Sequence, residues 1–251
     1  MRLIPVKDYA EMSRVGAQKI LELVKKNPKA VLGLATGSTP TGLYKNLIED
    51  HQMNHTSYKQ VTTFNLDEYI GLEGSHPQSY RYFMNEQLFR HIDIPLEQTF
   101  VPNGKAKDLE HECLRYEALI HEKGGIELQL LGLGVNGHIG FNEPGTPFDS
   151  RTHVITLAES TRKANSRFFS SIEEVPTHAI TMGIGSILEA KQIILLVSGE
   201  AKQGAMRRLL FDGQTTDFPA SALKNHPNVL IIADQDALKG TGYEGTEERE
   251  I

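Results

Sequence analysis

Two adjacent acidic residues, Asp67 and Glu68, follow a short apolar segment, Val61–Leu66 (VTTFNL), that is typical of a buried strand. A carboxylate that is partly removed from water at a strand end has a raised pKa and can act as a general base. Because the two acids are adjacent, we expect one to face a cleft and the other to face solvent. The alternative is an ordinary solvated pair of acids at the end of a strand.

A glycine-rich segment, Leu131–Pro144 (LGLGVNGHIGFNEP), contains His138 and Glu143 five residues apart, with Asn136 in the same loop. An imidazole and a carboxylate at this spacing can form a proton relay, in which the carboxylate orients the ring and stabilises its protonated form. A structural histidine with satisfied hydrogen bonds is the alternative. We predict no metal site, because the spacing of His and Cys residues in known metal motifs is missing.

The same segment spells G-x-G-x-x-G with Gly132, Gly134 and Gly137. A dinucleotide site needs these glycines to open a helix whose N-terminus holds the pyrophosphate. Here the chain continues to Pro144 and Pro147, which makes a poor helix start. We therefore reject a nicotinamide-nucleotide site.

A third segment, Gly33–Gly42 (GLATGSTPTG), leaves an apolar strand and enters a helix, with Pro40 near the first turn. Gly37, Ser38 and Thr39 leave backbone amides and hydroxyls unobstructed at the positive end of the helix, which suits a phosphate. This is not a Walker A loop, because no Gly-Lys-Ser/Thr follows. An ordinary strand-to-helix turn with a threonine cap is the alternative.

Positive side chains that could complete an anion site occur in two further segments. The segment STRKANSRFF carries Arg162, Lys163 and Arg167 in a helical pattern, and Lys202 follows the apolar strand Ile193–Val197. Either group could bind phosphate. The alternative for each is a solvated helix face.

These segments belong to an alternation of strand and helix patterns. Apolar strands separated by helices predict an α/β fold with a mostly parallel sheet covered by helices on both faces. Ligands of such a sheet bind beyond the carboxyl ends of its strands. We predict strands at Ala30–Ala35, Val61–Leu66, Glu127–Leu133, Val154–Leu157, Ala179–Met182, Lys191–Val197 and Asn228–Ala233, and helices after Asp8 and at Pro40–Asp50, Ser79–His91 and Leu109–Lys123.

Length and composition predict one domain at residues 1–239, followed by a flexible, glycine-rich tail at 240–251. The net charge is −6 and no basic cluster is present, so we expect no nucleic-acid partner. The first residues lack an apolar signal segment, and no apolar run reaches the ~20 residues that span a membrane. We expect a cytoplasmic protein without a membrane partner, and its only cysteine, Cys113, cannot form an intrachain disulfide.

Taken together, these segments resemble the glucosamine-6-phosphate deaminase family. The motifs occur in the family's order over residues 1–235 and read MRLIP, GLATGSTPTGLY, TFNLDEYIGL, HPQSYRYFM, GLGVNGHIGFNEPG, TRKANSRFF and SGEAK. The resemblance implies a single-domain Rossmann-like fold. It also implies conversion of glucosamine 6-phosphate and water to fructose 6-phosphate and ammonia without a cofactor.

The resemblance further implies roles for the catalytic candidates. Asp67 would move a proton from C2 to C1 of the substrate, and His138 would open the sugar ring with the help of Glu143 and Asn136. Many family members have Asp at position 136. An amide can orient His138 but cannot stabilise imidazolium by charge, so we expect Glu143 to do so.

The resemblance assigns the substrate phosphate to the turn Gly37–Thr39, Arg167 and Lys202, and it implies a mobile lid around Arg162–Ser170. In hexameric members that N-acetylglucosamine 6-phosphate activates, basic residues hold the activator where this chain has His153 and Ile155. We therefore expect no such activation, and a monomer or small homo-oligomer instead of a hexamer.

Two other functions are compatible with a related fold. A lactonase of the 6-phosphogluconolactonase type also binds a sugar phosphate, but it needs a base for water and not one aimed at C2. A non-catalytic sugar-phosphate sensor of bacterial repressors would carry a basic helix-turn-helix, for which this chain has no spare segment.

Overall fold

The computed structural model describes residues 1–166, 169–245 and 247–251. Its strands are β1 (Arg2–Val6), β2 (Val31–Leu34), β3 (Thr62–Asn65), β4 (Asp67–Tyr69), β5 (Thr99–Phe100), β6 (Leu128–Gly132), β7 (His153–Thr156), β8 (His178–Thr181), β9 (Gln192–Val197), β10 (Val229–Asp234) and β11 (Arg249–Glu250). Its α-helices are α1 (Tyr9–Lys26), α2 (Ser38–Asn54), α3 (Tyr80–Gln87), α4 (Leu109–Glu122), α5 (Glu159–Asn165), α6 (Ile184–Leu188), α7 (Gln203–Phe211) and α8 (Gln235–Leu238). Short 3-10 helices lie at Phe89–His91, Leu96–Gln98, Ile172–Glu174, Glu200–Lys202 and Pro219–Asn225.

The main sheet in the described ranges has the strand order β11-β1-β10-β9-β6-β2-β3-β5. Its neighbouring strands run parallel, except that β11 is antiparallel to β1. Parallel strands need crossover connections, and the helices between them supply these. The predicted mostly parallel sheet is therefore confirmed.

Apolar side chains on the two faces of the main sheet belong to different clusters. In β9, Ile193, Leu195 and Val197 join one cluster, and Ile194 and Leu196 join the other. Helices α4, α6 and α7 contribute to the first cluster, and α1 and α2 contribute to the second. Because successive strand side chains point to opposite faces, this division shows helices on both faces, as predicted.

A separate antiparallel sheet has the strand order β4-β8-β7. One residue, Leu66, lies between β3 and β4 and bonds to both sheets. Its N–H donates to the carbonyl of Leu34 at 3.1 Å, and its carbonyl accepts the N–H of Met182 at 2.7 Å. The sequence predicted a single strand over Val61–Leu66, so it did not predict that the chain enters a second sheet at the acidic pair.

A local signal explains where the first helix begins. Asp8 Oδ1 accepts the N–H of Glu11 at 2.9 Å, and Glu11 Oε2 accepts the N–H of Lys7 at 2.8 Å, which is a capping arrangement. Helix α2 begins at Ser38, two residues before the predicted start at Pro40.

The described part of the predicted tail includes β11, which pairs with β1. The flexibility of the tail and the domain boundary at residue 239 stay predictions. No helix in the described ranges is both long and apolar enough to cross a membrane.

Candidate active site

A cleft of about 700 Å³ opens beyond the carboxyl ends of the parallel strands. Residues that follow β2, β3, β6 and β9 line it. Of the residues predicted from the sequence, those in its lining are Gly37, Ser38, Thr39, Asp67, Asn136, His138 and Lys202. Glu143 is hydrogen-bonded to Asn136, and the predicted phosphate ligand Arg167 lies outside the described residues.

Asp67 opens β4 and is buried, with only 6% of its surface exposed. Among the described residues, its carboxylate accepts no hydrogen bond. Burial raises the pKa of Asp67 to about 8, and the negative charge of Glu68 adds to this effect. An unpaired, desolvated carboxylate that lines a cleft has the properties of a general base.

The expectation that the second acid of the pair faces solvent is wrong. Glu68 is 3% exposed, and its carboxylate accepts backbone N–H groups from Tyr69 and Tyr80 at 2.9 Å and from Arg81 at 3.0 Å. Burial raises the pKa of Glu68, and these hydrogen bonds oppose that shift. Tyr80 and Arg81 open α3, so Glu68 caps a helix that borders the cleft.

Asn136 lies between the imidazole and the carboxylate of the predicted relay. Asn136 Nδ2 donates to Glu143 Oε2 at 2.8 Å, and Asn136 Oδ1 is 2.7 Å from His138 Nδ1. His138 Nδ1 and Glu143 Oε2 are 3.8 Å apart. Glu143 thus orients the ring mainly through the amide, not by the direct contact that the spacing predicted.

This chain of bonds determines the protonation of the ring. A carboxylate only accepts hydrogen bonds, so the Asn136 amide nitrogen must face Glu143 and its oxygen must face His138. The amide oxygen also only accepts, so His138 Nδ1 must carry the proton. In the neutral ring, Nε2 is therefore the proton acceptor.

The environment of His138 favours the neutral ring. Burial lowers its pKa, the negative charge of Glu143 opposes this shift, and the positive charge of Lys202 lowers the pKa further. A neutral imidazole with a free Nε2 can accept a proton and then donate it.

Helix α5 contacts the relay through a residue that sequence reasoning missed. Thr161, in α5, donates a hydrogen bond to Glu143 Oε1, while Asn136 holds the other oxygen. Both carboxylate oxygens are therefore occupied. The sequence pattern drew attention to the cations of this segment, and a threonine among them gave no separate signal.

The predicted phosphate-binding turn Gly37–Thr39, called the anion turn below, has a backbone conformation that explains its glycine. Gly37 is the N-cap of α2, with φ 90°, and provides no side-chain cap. This backbone conformation favours glycine. The N–H groups of Ser38 and Thr39 lie in the first helical turn, where no intrahelical acceptor exists, so they can bind an anion.

Lys202 ends the 3-10 helix Glu200–Lys202 and lines the cleft. It is half-buried, and it forms neither a hydrogen bond nor an ion pair within the described part of the chain. Burial lowers its pKa. By contrast, Arg162 donates to the carbonyls of Ile172 and Val175 at 2.9 and 3.1 Å, so it holds the backbone of its own segment.

An aromatic wall covers one side of the cleft, and sequence reasoning did not predict it. The rings of Tyr80 and Phe141 stack with centroids 5.9 Å apart, and Tyr69 lies 4.9 Å from Tyr80. Phe169 contacts Tyr69 edge-on at 6.0 Å. Such a wall excludes water and helps to explain the raised pKa of Asp67.

Metal ligation finds no support in the geometry. Within the described ranges, no group of His, Cys, Asp or Glu side chains is arranged to hold a metal ion.

The fold and the cleft define a class of α/β protein in which a helix N-terminus, a buried carboxylate and a histidine meet beyond one edge of a parallel sheet. The model of one such family, glucosamine-6-phosphate isomerases/6-phosphogluconolactonase, matches residues 8–232. The chain belongs to this family, and the resemblance found in its motifs is confirmed.

Curated relatives match almost the whole chain. A glucosamine-6-phosphate deaminase of Geobacillus sp. (strain WCH70) is 60% identical over 238 residues, which cover 95% of both chains. A glucosamine-6-phosphate deaminase of Shouchella clausii is 55% identical over 237 residues, which cover 94% of this chain and 96% of the relative.

Solved structures agree with the fold. A monomeric glucosamine-6-phosphate deaminase superposes with a TM-score of 0.93 at 51% identity and covers 94% of this chain and 98% of its own. A 6-phosphogluconolactonase from Trypanosoma cruzi has a TM-score of 0.78 at 22% identity, with 95% and 96% covered. The second similarity shows the shared fold alone.

Proposed function

We propose that the chain converts glucosamine 6-phosphate and water to fructose 6-phosphate and ammonia. The observation that carries this proposal is the 60% identity to a glucosamine-6-phosphate deaminase over 95% of both chains. The cleft supports it, since Asp67, His138 and Lys202 line the same space.

Binding of the phosphate uses the free N–H groups of Ser38 and Thr39 together with the Lys202 ammonium. Lys202 is half-buried and has no partner among the described residues, which supports this role, because an anion would provide one. Arg167 is proposed as a further ligand on the resemblance of its segment alone.

Ring opening uses His138. Nε2 accepts the proton of the O1 hydroxyl and returns it to O5 as the C1–O5 bond breaks, which exposes the aldehyde. The transient imidazolium donates from Nδ1 to Asn136 Oδ1, and the negative charge of Glu143, 3.8 Å away, stabilises it.

Isomerisation then uses Asp67. Only the open chain has a carbonyl that makes the C2 proton acidic. Asp67 removes this proton, a proton of the ammonium group passes to O1, and Asp67 returns its own proton to C1. Water adds to the resulting C2 iminium, and ammonia leaves to give the ketone. Each positioned acid–base group contributes about 10²–10⁴-fold.

We also propose that residues 162–170 act as a lid. Phe169 contacts Tyr69 of the aromatic wall, and Thr161, directly before the segment, bonds to Glu143 of the relay, which supports this role. The cytoplasmic location stays a prediction.

The test is to incubate the protein with glucosamine 6-phosphate and to measure ammonia and fructose 6-phosphate together. Equal amounts of both are expected, and non-phosphorylated glucosamine should react poorly. Hydrolysis of 6-phosphogluconolactone without any release of ammonia from the amino sugar would contradict the proposal and favour the lactonase alternative.

A further inference from the structure

The hydroxyl of Tyr9 contacts the first turn of α2, outside the cleft. Tyr9 Oη donates to the carbonyl oxygen of Ser38 at 2.8 Å and accepts the N–H of Gly42 at 2.8 Å. A regular α-helix would pair these two backbone groups with each other. A side chain of α1 therefore bonds to the backbone of α2 at the turn that carries the free N–H groups.

Helices α1 and α2 approach each other closely at this point. A Cβ atom on Gly42 would lie 2.9 Å from Tyr9 Cε1 and 2.4 Å from Ser13 Oγ. Only a residue without a side chain permits this approach. Tyr9 is also the first residue of α1, directly after the capping residue Asp8, so its own backbone is fixed.

The bond to the Ser38 carbonyl affects the anion turn directly. This carbonyl and the N–H of Thr39 belong to one planar peptide unit and point in opposite directions. A donor that holds the carbonyl therefore sets the direction of the Thr39 N–H. It also polarises that N–H and strengthens it as a hydrogen-bond donor.

The N-cap residue of α2 cannot restrain the turn Gly37–Thr39 with a side chain. Helix N-termini are commonly held by a side chain of the N-cap residue, but Gly37 has none. A phosphate bound at the free N–H groups would occupy the place of such a cap. Thr41 Oγ1 donates to the Gly37 carbonyl from within α2, and Tyr9 restrains the following peptide from outside the cleft.

We infer that Tyr9 is a positioning residue for the anion turn: its hydroxyl orients the Ser38–Thr39 peptide toward the substrate phosphate without touching it. This inference rests on the proposed function, which assigns the phosphate to that turn. Without the hydroxyl, the Ser38 carbonyl loses the donor that α1 provides, and the Ser38–Thr39 peptide is less restrained.

The test compares Tyr9→Phe with Ser13→Ala. Both variants remove one hydroxyl from the same contact between α1 and α2, but Ser13 Oγ has no hydrogen-bond partner among the described residues. Tyr9→Phe should raise both KM for glucosamine 6-phosphate and the inhibition constant of inorganic phosphate about three- to tenfold, with kcat within about twofold of wild type. Ser13→Ala should leave all three constants unchanged.

Melting temperature separates positioning from folding. If Tyr9→Phe lowers the melting temperature and kcat but leaves KM and the phosphate inhibition constant unchanged, the inference is overturned, and Tyr9 is only structural. Should wild type show no turnover of glucosamine 6-phosphate, the proposed function fails separately. Direct binding of inorganic phosphate, followed by calorimetry, then decides the role of Tyr9: equal affinity in wild type and Tyr9→Phe overturns it.

Discussion

At the residue scale, burial gives two adjacent carboxylates different roles. Glu68 accepts three backbone N–H groups and caps α3, whereas Asp67 has no hydrogen-bond donor among the described residues and lines the cleft. The charge of Glu68 also contributes to the raised pKa of Asp67. The raised pKa makes the Asp67 carboxylate, once ionised, a stronger base than a carboxylate in water.

This environment predicts that Asp67→Asn stabilises the protein at high pH. The folded-state pKa of about 8 lies above the unfolded value of 3.8, so the stability that the neutral carboxyl contributes is complete below pH 3.8 and is lost as the pH rises through 8. Asn stays neutral, so the variant should gain about 1–3 kcal/mol at pH 8.5 and little at pH 4.

Thermal unfolding at both pH values checks this expectation, with Glu68→Gln as the matched control. Glu68 accepts three hydrogen bonds, so Glu68→Gln should lower the melting temperature at pH 8.5. A lower melting temperature of Asp67→Asn than of wild type at pH 8.5 would show that the Asp67 carboxylate is not destabilised by burial.

A second prediction concerns the amide of the relay. Asn136→Asp places a negative charge where an amide oxygen now lies 2.7 Å from His138 Nδ1, so the pKa of His138 should rise. The Cε1 proton of His138, titrated by NMR and assigned with His138→Gln, measures this directly. Asn54→Asp, at a remote exposed position, should cause no shift. An unchanged or lower pKa in Asn136→Asp would refute the proposed arrangement of the relay.

At the element scale, the cleft forms because four parallel strands end at one edge of the sheet. The segments after β2, β3, β6 and β9 could be predicted, since an apolar run followed by small or polar residues is a local signal. Their common edge also follows from the parallel topology. These signals made the turn Gly37–Thr39, Asp67, His138 and Lys202 candidates, and the resemblance to the family assigned their roles.

Other contacts depend on chain segments that are distant in sequence. The N–H groups that hold Glu68 come from residues 12 and 13 positions later, and Thr161 is 18 positions from Glu143. No local pattern encodes which distant donor reaches a given carboxylate, so the sequence alone could not predict these partners.

A third prediction concerns Lys202, the proposed cation of the phosphate site. Lys202→Gln removes the unpaired cation, so KM for glucosamine 6-phosphate should rise about 10- to 100-fold, the loss of one charge-assisted hydrogen bond. Lys239→Gln is the control. Lys239 is an exposed lysine whose ion pair with the exposed Glu200 is long, at 4.0 Å, so its loss should have little effect. If both variants have the KM of wild type, Lys202 is not a phosphate ligand.

At the scale of the whole molecule, the residues in and next to β7 bear on the number of subunits. His153 and Ile155 cannot act as two fixed cations, and the nearby Arg151 is already paired with Glu117 at 2.6 Å and Glu189 at 2.5 Å. A solved relative of 51% identity is a monomeric deaminase. We therefore propose a monomer or small homo-oligomer in preference to a hexamer.

Light scattering after size exclusion should give a mass well below that of a hexamer of this 28.0 kDa chain. Saturation with glucosamine 6-phosphate should be hyperbolic, and N-acetylglucosamine 6-phosphate should not activate the enzyme. Sigmoidal saturation that becomes hyperbolic with the acetylated sugar would show that the segment at 153–155 binds an effector after all.

The proposed mechanism depends on Asp67, which moves the proton from C2 to C1 during deamination. The most direct measurement incubates wild type and Asp67→Asn with glucosamine 6-phosphate in deuterated water and follows ammonia, fructose 6-phosphate and deuterium at C1. Wild type should release ammonia and fructose 6-phosphate in equal amounts, with deuterium at C1 in the fraction of turnovers in which the proton on Asp67 exchanges with solvent before it is returned. Asp67→Asn should produce neither product while still binding inorganic phosphate. Near-normal turnover of Asp67→Asn would show that Asp67 is not the group that moves this proton.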